Sequence, residues 1–529
     1  MNDLLDKVLS ELGAILILLG AVVVVLWRLP KVEINHSPEY RRRRFWNWFP
    51  LGLTYALLYF GRYNLSANVA TLDKLHLLSK PEFADIDTVG SITYGVAFLL
   101  NGPLTDRWGG RTTILLAAGG SAVMNLAMGA AFSRLSSGAM THEDFLRALT
   151  ILNAANMYFQ SFGAVSIVKV NAPWFHVRER GVLGGVFGIL ISTGLYLAYD
   201  GSRLLAGADG SRMMLAFIVP AVALLVFCGI DYFVIRDTPG DAGFPDFDTA
   251  DASSGDTAER PRLVDVARRM FSQKVIWIIV AIEFCSGFLR NAIMKWFLSF
   301  SKETGLSATF VHAHWGALLC AAGILGGVFA GFISDHVFGS RRGPVASVLY
   351  AGMFVGVAAA LGILGSPAIG WAFIFATLCV IGVHGMLSGT ASADFGGKKN
   401  AGIATGIIDG FVYLGTGAQA LILKNFLPTG DAAKDPANWR SWLLIMLPVA
   451  ALGFVLATRM WNAKPKAAGP AASPAQPNPS PTLEAGAAQV VAASAPADAA
   501  AEPEHDEDPA LAATLAAAES SGADSPDEK

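Results

Sequence analysis

Residues 102–111 read GPLTDRWGGR, and residues 331–342 read GFISDHVFGSRR. Each stretch opens on a glycine (Gly102, Gly331) and places an aspartate four residues later (Asp106, Asp335). Each then closes on arginines, Arg107 and Arg111 in the first and Arg341 and Arg342 in the second. The two aspartates are 335 − 106 = 229 positions apart. Two arginines set in apolar stretches, Arg62 and Arg290, are 290 − 62 = 228 positions apart. Unrelated features that share one offset imply a chain built from two related halves.

The halves are apolar. Of 529 residues, 53% are hydrophobic and only 15% charged, against about 25% charged in a soluble domain. The apolar residues are gathered into runs of about 20, the length a helix needs to cross the hydrocarbon layer. A first span is expected at Leu12–Leu29. Twelve more are expected near 46–72, 86–107, 111–133, 145–173, 179–207, 212–235, 274–301, 310–338, 344–364, 367–391, 401–427 and 439–461. The first is preceded by Asp3, Asp6 and Glu11, where a cleaved signal would carry positive charge. It therefore reads as a retained extra helix.

The resulting organisation is an extra helix with a basic linker (1–44), a six-helix bundle (45–235), a polar central loop (236–273), a second six-helix bundle (274–462) and a tail (463–529). The tail is Ala, Pro, Ser, Glu and Asp with almost no aromatics. It lacks the apolar surface needed to fold alone. Basic residues fall in alternate loops: Arg41–Arg44, Arg107 with Arg111, Arg178 with Arg180, Arg341 with Arg342, and Lys398 with Lys399. By the positive-inside rule these mark the cytoplasmic side. Met1 is then expected outside and Lys529 inside, in a multi-pass protein of the cell inner or plasma membrane. Cys228, Cys285, Cys320 and Cys379 all lie in apolar runs without metal or redox spacing and read as packing residues.

The stretch Gly102–Arg111 resembles the signature loop of the major facilitator superfamily, Gly-x-Leu-x-Asp-Arg-x-Gly-Arg, and lies between the second and third body helices. In that reading Gly102, Asp106, Arg107 and Arg111, with Asp335 in the second half, form a cytoplasmic gating motif. The fold implied is all-α, two six-helix bundles plus the extra N-terminal helix. Further pieces resemble the organophosphate:phosphate antiporter family, the glycerol-3-phosphate and hexose-phosphate carriers. They are Tyr55-x-x-x-Tyr59-x-x-Arg62-x-Asn64, Tyr94-Gly95, Glu179-Arg180-Gly181, Arg236-Asp237-Thr238-Pro239, Ser334-Asp335-x-Val337-Phe338, Lys398-Lys399-x-Ala401-Gly402 and Tyr413-Leu414-Gly415.

Charge inside a membrane is costly and marks function. Arg62 and Arg290, at matching places in the two halves, suggest one shared anionic ligand. A guanidinium fits phosphate with a planar fork of donors, and the resemblance implies the same role. The other reading is a structural ion pair with an acid. Tyr55, Tyr59 and Arg62 share one helix face. Tyr59, Tyr94 and Tyr413 are expected to line the substrate site, as the resemblance implies for Tyr94 and Tyr413; the other reading of Tyr55 and Tyr94 is an interfacial or packing tyrosine. The sequence also departs from the glycerol-phosphate carriers. Phe98 and Ile191 stand where those have lysine and histidine, and Cys320 where they have glutamate. Glu283, Asp409 and His384 are added titratable groups, expected to balance charge, bind a cationic substrate part or carry a proton.

No phosphate-binding Gly-x-x-x-x-Gly-Lys loop and no paired metal ligands occur, so neither catalytic nor metal residues are expected, and no cofactor. His312 and His314 read as surface residues at a helix start. The expected partners are a small anionic, phosphate-bearing solute and the lipid bilayer, without nucleic acid, for a chain acting as a monomer. The leading expectation is a carrier exchanging an organophosphate for inorganic phosphate by alternating access between repeated halves. The alternatives are a proton-coupled carrier of another organic anion and a membrane sensor that kept the carrier fold.

Overall fold

A computed structural model describes residues 36–176, 180–207, 209–247, 249, 268, 272, 274–338 and 341–462. The expected first span at Leu12–Leu29, most of the central loop and the tail from 463 lie outside the described residues. Among the described residues twelve helices have 16 residues or more. They are α1 (Pro38–Lys74), α2 (Lys80–Trp108), α3 (Gly110–Ser136), α4 (His142–Asn171), α5 (Arg180–Tyr196) and α6 (Leu215–Val234). The second set is α7 (Lys274–Glu303), α8 (Trp315–Phe332), α9 (Arg342–Gly362), α10 (Ile369–His384), α11 (Ala391–Leu423) and α12 (Arg440–Arg459). Among the described residues, eight spans are long and apolar enough to cross a membrane by length and composition.

Capping residues, rather than hydrophobicity, set the helix starts. Ser37 accepts from the Tyr40 backbone N–H and Pro38 occupies the first turn of α1, where a missing N–H costs nothing. Helix α1 therefore starts eight residues before the expected span at 46, and Arg41–Arg44 are helical instead of belonging to a linker. Likewise Ser79 and Glu82 form a reciprocal capping box at α2. The loop expected between 391 and 401 is also helix. A π-helical turn, Gly385–Thr390, joins α10 to α11, and no proline interrupts residues 369–423. Polar residues can prolong a helix past the bilayer, so apolar run length underestimates it.

The two halves repeat in their packing. Helix α1 packs on α4, α5 and α6; α2 packs on α4; α3 packs on α4 and α6. Adding six to each label gives α7 on α10, α11 and α12, α8 on α10, and α9 on α10 and α12. All six contacts are present. Burial repeats too. Only 28% of the α6 span and 33% of the α12 span is covered by protein, against 78% of α7. Val222, Val226 and Phe233 on α6 and Leu452 and Val455 on α12 point outward. Such faces are stable against lipid and costly in water, so this is a membrane protein with α6 and α12 at its rim.

The halves meet along two seams, α2 on α11 and α5 on α8, with α1 against α7. At the basic end, Arg43 donates to the Val234 carbonyl at 2.8 Å and Arg44 lies over the Phe175 ring. These contacts gather the start of α1 and the ends of α4 and α6. Gly109 ends α2 at φ 88°, and a Cβ there would sit 2.4 Å from Asp237 Oδ2. Asp237 accepts from the Arg111 backbone N–H at 2.8 Å. Its burial raises the pKa of this carboxyl, and that N–H partly opposes the shift. At the opposite end, contacts cross between the halves. Lys80 bonds Glu303 at 3.1 Å, and Asp200 accepts from the Gly316 and Ala317 backbone N–H groups, both at 2.9 Å, at the positive end of the α8 dipole.

Candidate functional site

Arg62 sits near the middle of α1 and is 4% exposed. Its guanidinium lies 4.4 Å from the Tyr59 ring centre, one turn back on the same face, and 4.7 Å from the Tyr94 ring centre on α2. Aromatic faces attract a cation by their quadrupole and exclude water from it. Nε donates to Gln160 Oε1 at 2.9 Å, and Nη1 donates to the Tyr413 hydroxyl at 3.0 Å. Gln160 is itself fixed by donating to the Leu58 carbonyl. Among the described residues Nη2 has no partner.

Arg290 on α7 is 5% exposed, and its guanidinium lies 5.6 Å from the Tyr413 ring centre. Its Nε and Nη2 have no partner among the described residues. Tyr413, on α11, thus binds one arginine by its hydroxyl and lies beside the other by its ring. It is itself stacked on Phe98 and packed on Tyr94. Three buried guanidinium nitrogens, drawn from both halves, are left without acceptors. Burying a charged donor without an acceptor costs several kcal/mol, and an anion placed among them would remove that cost. Tyr59, Tyr94, Tyr413, Arg62 and Arg290 are therefore brought together as the sequence predicts. Tyr55 adjoins Tyr59 at the edge of this group.

The three added titratable groups also converge, two helical turns along α7. Glu283 is fully buried, and Oε2 meets His384 Nδ1 at 3.0 Å. Its Oε1 has no partner among the described residues. Asp409 on α11 accepts from the Ser388 hydroxyl and lies in electrostatic reach of His384, Glu283 and Arg290.

Sequence reasoning missed a buried cation close to the arginines. Lys295, five residues after Arg290, is ion-paired with Asp87 on α2, and both are at most 6% exposed. The pair joins the two halves on the side of the arginines away from the basic end. Both residues lie toward span ends, where charges read as boundary residues. With Arg62, Tyr63 and Met157 they line a cavity of about 10 Å³, room for roughly one water. His312 is a correction. It is 8% exposed and bonded to Ser301 and Arg203, because its short helix folds back over α7. His314 is exposed, as expected.

The stretch Gly102–Arg111, expected to be a gating motif, is assembled differently from its linear reading. Asp106 pairs with Lys169 on α4 at 2.7 Å and accepts from the Ile403 backbone N–H on α11 at 3.3 Å. Its sequence neighbour Arg107 is exposed, and Arg111 instead donates to the Tyr232 carbonyl. The side chains of Asp335, Lys398 and Lys399 lie outside the described residues. A Cβ on Gly102 would sit 2.5 Å from the Gly402 carbonyl oxygen, so the α2–α11 seam closes only over glycine. Gly102→Val is expected to force the seam apart at its basic end. Spin labels placed on the basic ends of α2 and α11 should then report a longer distance than in the unsubstituted protein. An unchanged distance distribution would count against the seam as a gate.

Residues 51–420 match the Major Facilitator Superfamily. The glycerol-3-phosphate transporter of Bacillus subtilis is 24% identical over 443 residues, 80% of this chain and 93% of that protein. The membrane sensor protein UhpC of Escherichia coli is 25% identical over 445 residues, 82% and 95%. A probable hexose phosphate transport protein of Chlamydia trachomatis is 24% identical over 464 residues, 82% and 94%. In fold, the chain is similar to a bacterial homologue of the human lysosomal transporter Spinster, solved inward-facing and unoccupied. The TM-score is 0.57 at 13% identity, covering 80% of this chain and 98% of that one. Match, helix count and repeated packing agree: the chain belongs to the major facilitator superfamily.

Proposed function

We propose that this protein is a secondary carrier of a small phosphate-bearing organic anion, of the glycerol-phosphate or sugar-phosphate type. In this reading it exchanges that anion for inorganic phosphate by alternating access. The observation that carries the reading is the set of three guanidinium nitrogens on Arg62 and Arg290 that have no partner among the described residues. A phosphate group offers several strong acceptor oxygens and up to two negative charges, and so fits donors of that number and sign. The tyrosine walls leave an amphipathic lining for the remainder of the solute. Relatives described as glycerol-3-phosphate and hexose phosphate transporters support the substrate class.

Titration calorimetry on the purified protein tests the reading. Inorganic phosphate, glycerol 3-phosphate and glucose 6-phosphate should bind, while glycerol and glucose should not. Equal binding of the uncharged sugars, or no binding of any phosphate, would refute it.

A further inference from the structure

The buried acids are a problem that anion binding alone does not solve. In the arrangement seen, Arg290 lies within electrostatic reach of Glu283 and Asp409, and His384 touches Glu283. Seven residues separate Glu283 from Arg290, about 10 Å along α7. A phosphate dianion held by the arginines would neutralise both of them. It would leave two carboxylates buried nearby with no cation of their own. Charges left so in a low-dielectric interior are costly, and the least costly remedy is to take up a proton.

The local geometry offers a place for that proton. Glu283 Oε2 already meets His384 Nδ1 at 3.0 Å, and with Oε1 fully buried and without a donor among the described residues, the imidazole is the contact through which this carboxylate can be neutralised. The neighbouring hydroxyl of Tyr350 on α9 cannot serve, because it donates to the Ile282 carbonyl at 2.5 Å. Ser388 is committed to Asp409. Among the described residues, the other charged or titratable groups facing the cluster are Arg290 and Cys285 on α7, Tyr413 on α11 and Tyr55 on α1. Helix α8 carries no charged residue, and α12 buries only uncharged ones. No lysine or further arginine among them can take over the neutralisation.

We infer that the Glu283–His384 pair is a proton-binding site that loads when an anion occupies Arg62 and Arg290. The proton comes from the solvent on the open side and is held between Glu283 Oε2 and His384 Nδ1, as carboxylate beside imidazolium. Asp409 keeps the surroundings negative and so favours it. Linkage is reciprocal: if the anion promotes proton uptake, protons promote anion binding by the same factor. A pH gradient, acid outside, would then drive net solute uptake, while exchange of one anion for another proceeds without it. The inference rests on the anion-carrier reading above.

Titration calorimetry with glycerol 3-phosphate at pH 8 tests it, in two buffers of different ionisation enthalpy. The ester is fully dianionic there, its second pKa being about 6. The unsubstituted protein should take up about one proton per ester bound, and Glu283→Gln and His384→Gln about none. Equal uptake in all three, or none in the unsubstituted protein, overturns the inference. No heat of binding in the unsubstituted protein instead refutes the anion-carrier reading. If a variant fails to fold or bind, the unsubstituted protein decides alone. Its affinity should fall by up to about tenfold per pH unit above pH 7, and an affinity flat with pH would overturn the inference.

Discussion

Arg62→Lys and Arg290→Lys are each expected to weaken phosphate-ester binding on the order of 30- to several-thousand-fold. Lysine keeps the charge but replaces a planar fork with a single ammonium on a flexible stem. At position 62 one Nζ would have to replace three nitrogens that now face Gln160, Tyr413 and the unpartnered direction. Losing one charged, desolvated contact typically costs about 2–5 kcal/mol, which gives that range at about 1.4 kcal/mol per tenfold. Folding should survive, because the tyrosine cage can hold an ammonium by the same cation–π attraction. Calorimetry with inorganic phosphate and the ester measures the loss, and size-exclusion profiles check the fold. Undiminished binding in both variants would mean that the arginines are structural.

The second large effect is expected at Lys295. Lys295→Met leaves Asp87 buried between α2 and α7 without its cation. Removing one member of a buried pair typically costs about 3–5 kcal/mol, whereas replacing both with neutral groups is often neutral. The melting temperature in detergent should therefore drop sharply in Lys295→Met and recover in Asp87→Asn with Lys295→Met. Because the pair joins the halves on the side away from the basic end, the double variant should also open more readily to that side. Additive losses in the double variant would show that the two side chains stabilise the protein independently.

What the sequence made legible, and what it hid, follows from the kind of signal each residue carries. Arg62 and Arg290 stood out because charge inside an apolar span is rare and their offset matched that of Asp106 and Asp335. The tyrosines followed from helical spacing on α1 and from resemblance on α2 and α11. Gln160 was invisible: an uncharged amide among apolar residues gives no charge signal, and its role depends on α4 crossing α1. Lys295 and Asp87 were hidden by position, since charges toward span ends are ordinary. The partners of Asp106 were hidden for a third reason. Lys169 and the Ile403 backbone lie 63 and 297 residues away, whereas Arg107 and Arg111 are adjacent in sequence and bond elsewhere or face solvent. Helix ends were misjudged at α1 and α11, where polar residues continue a helix that hydrophobicity alone would stop.

The central claim is that the two arginines hold a phosphate group in transit. Exchange by purified protein in proteoliposomes measures this most directly. Vesicles loaded with inorganic phosphate and given labelled glycerol 3-phosphate or glucose 6-phosphate outside should accumulate label. Accumulation should be many-fold lower without internal phosphate at equal pH on both sides, and should vanish in Arg62→Lys and Arg290→Lys. Tight ester binding without flux would instead identify a sensor, and accumulation that ignores both substitutions would contradict the two-arginine site.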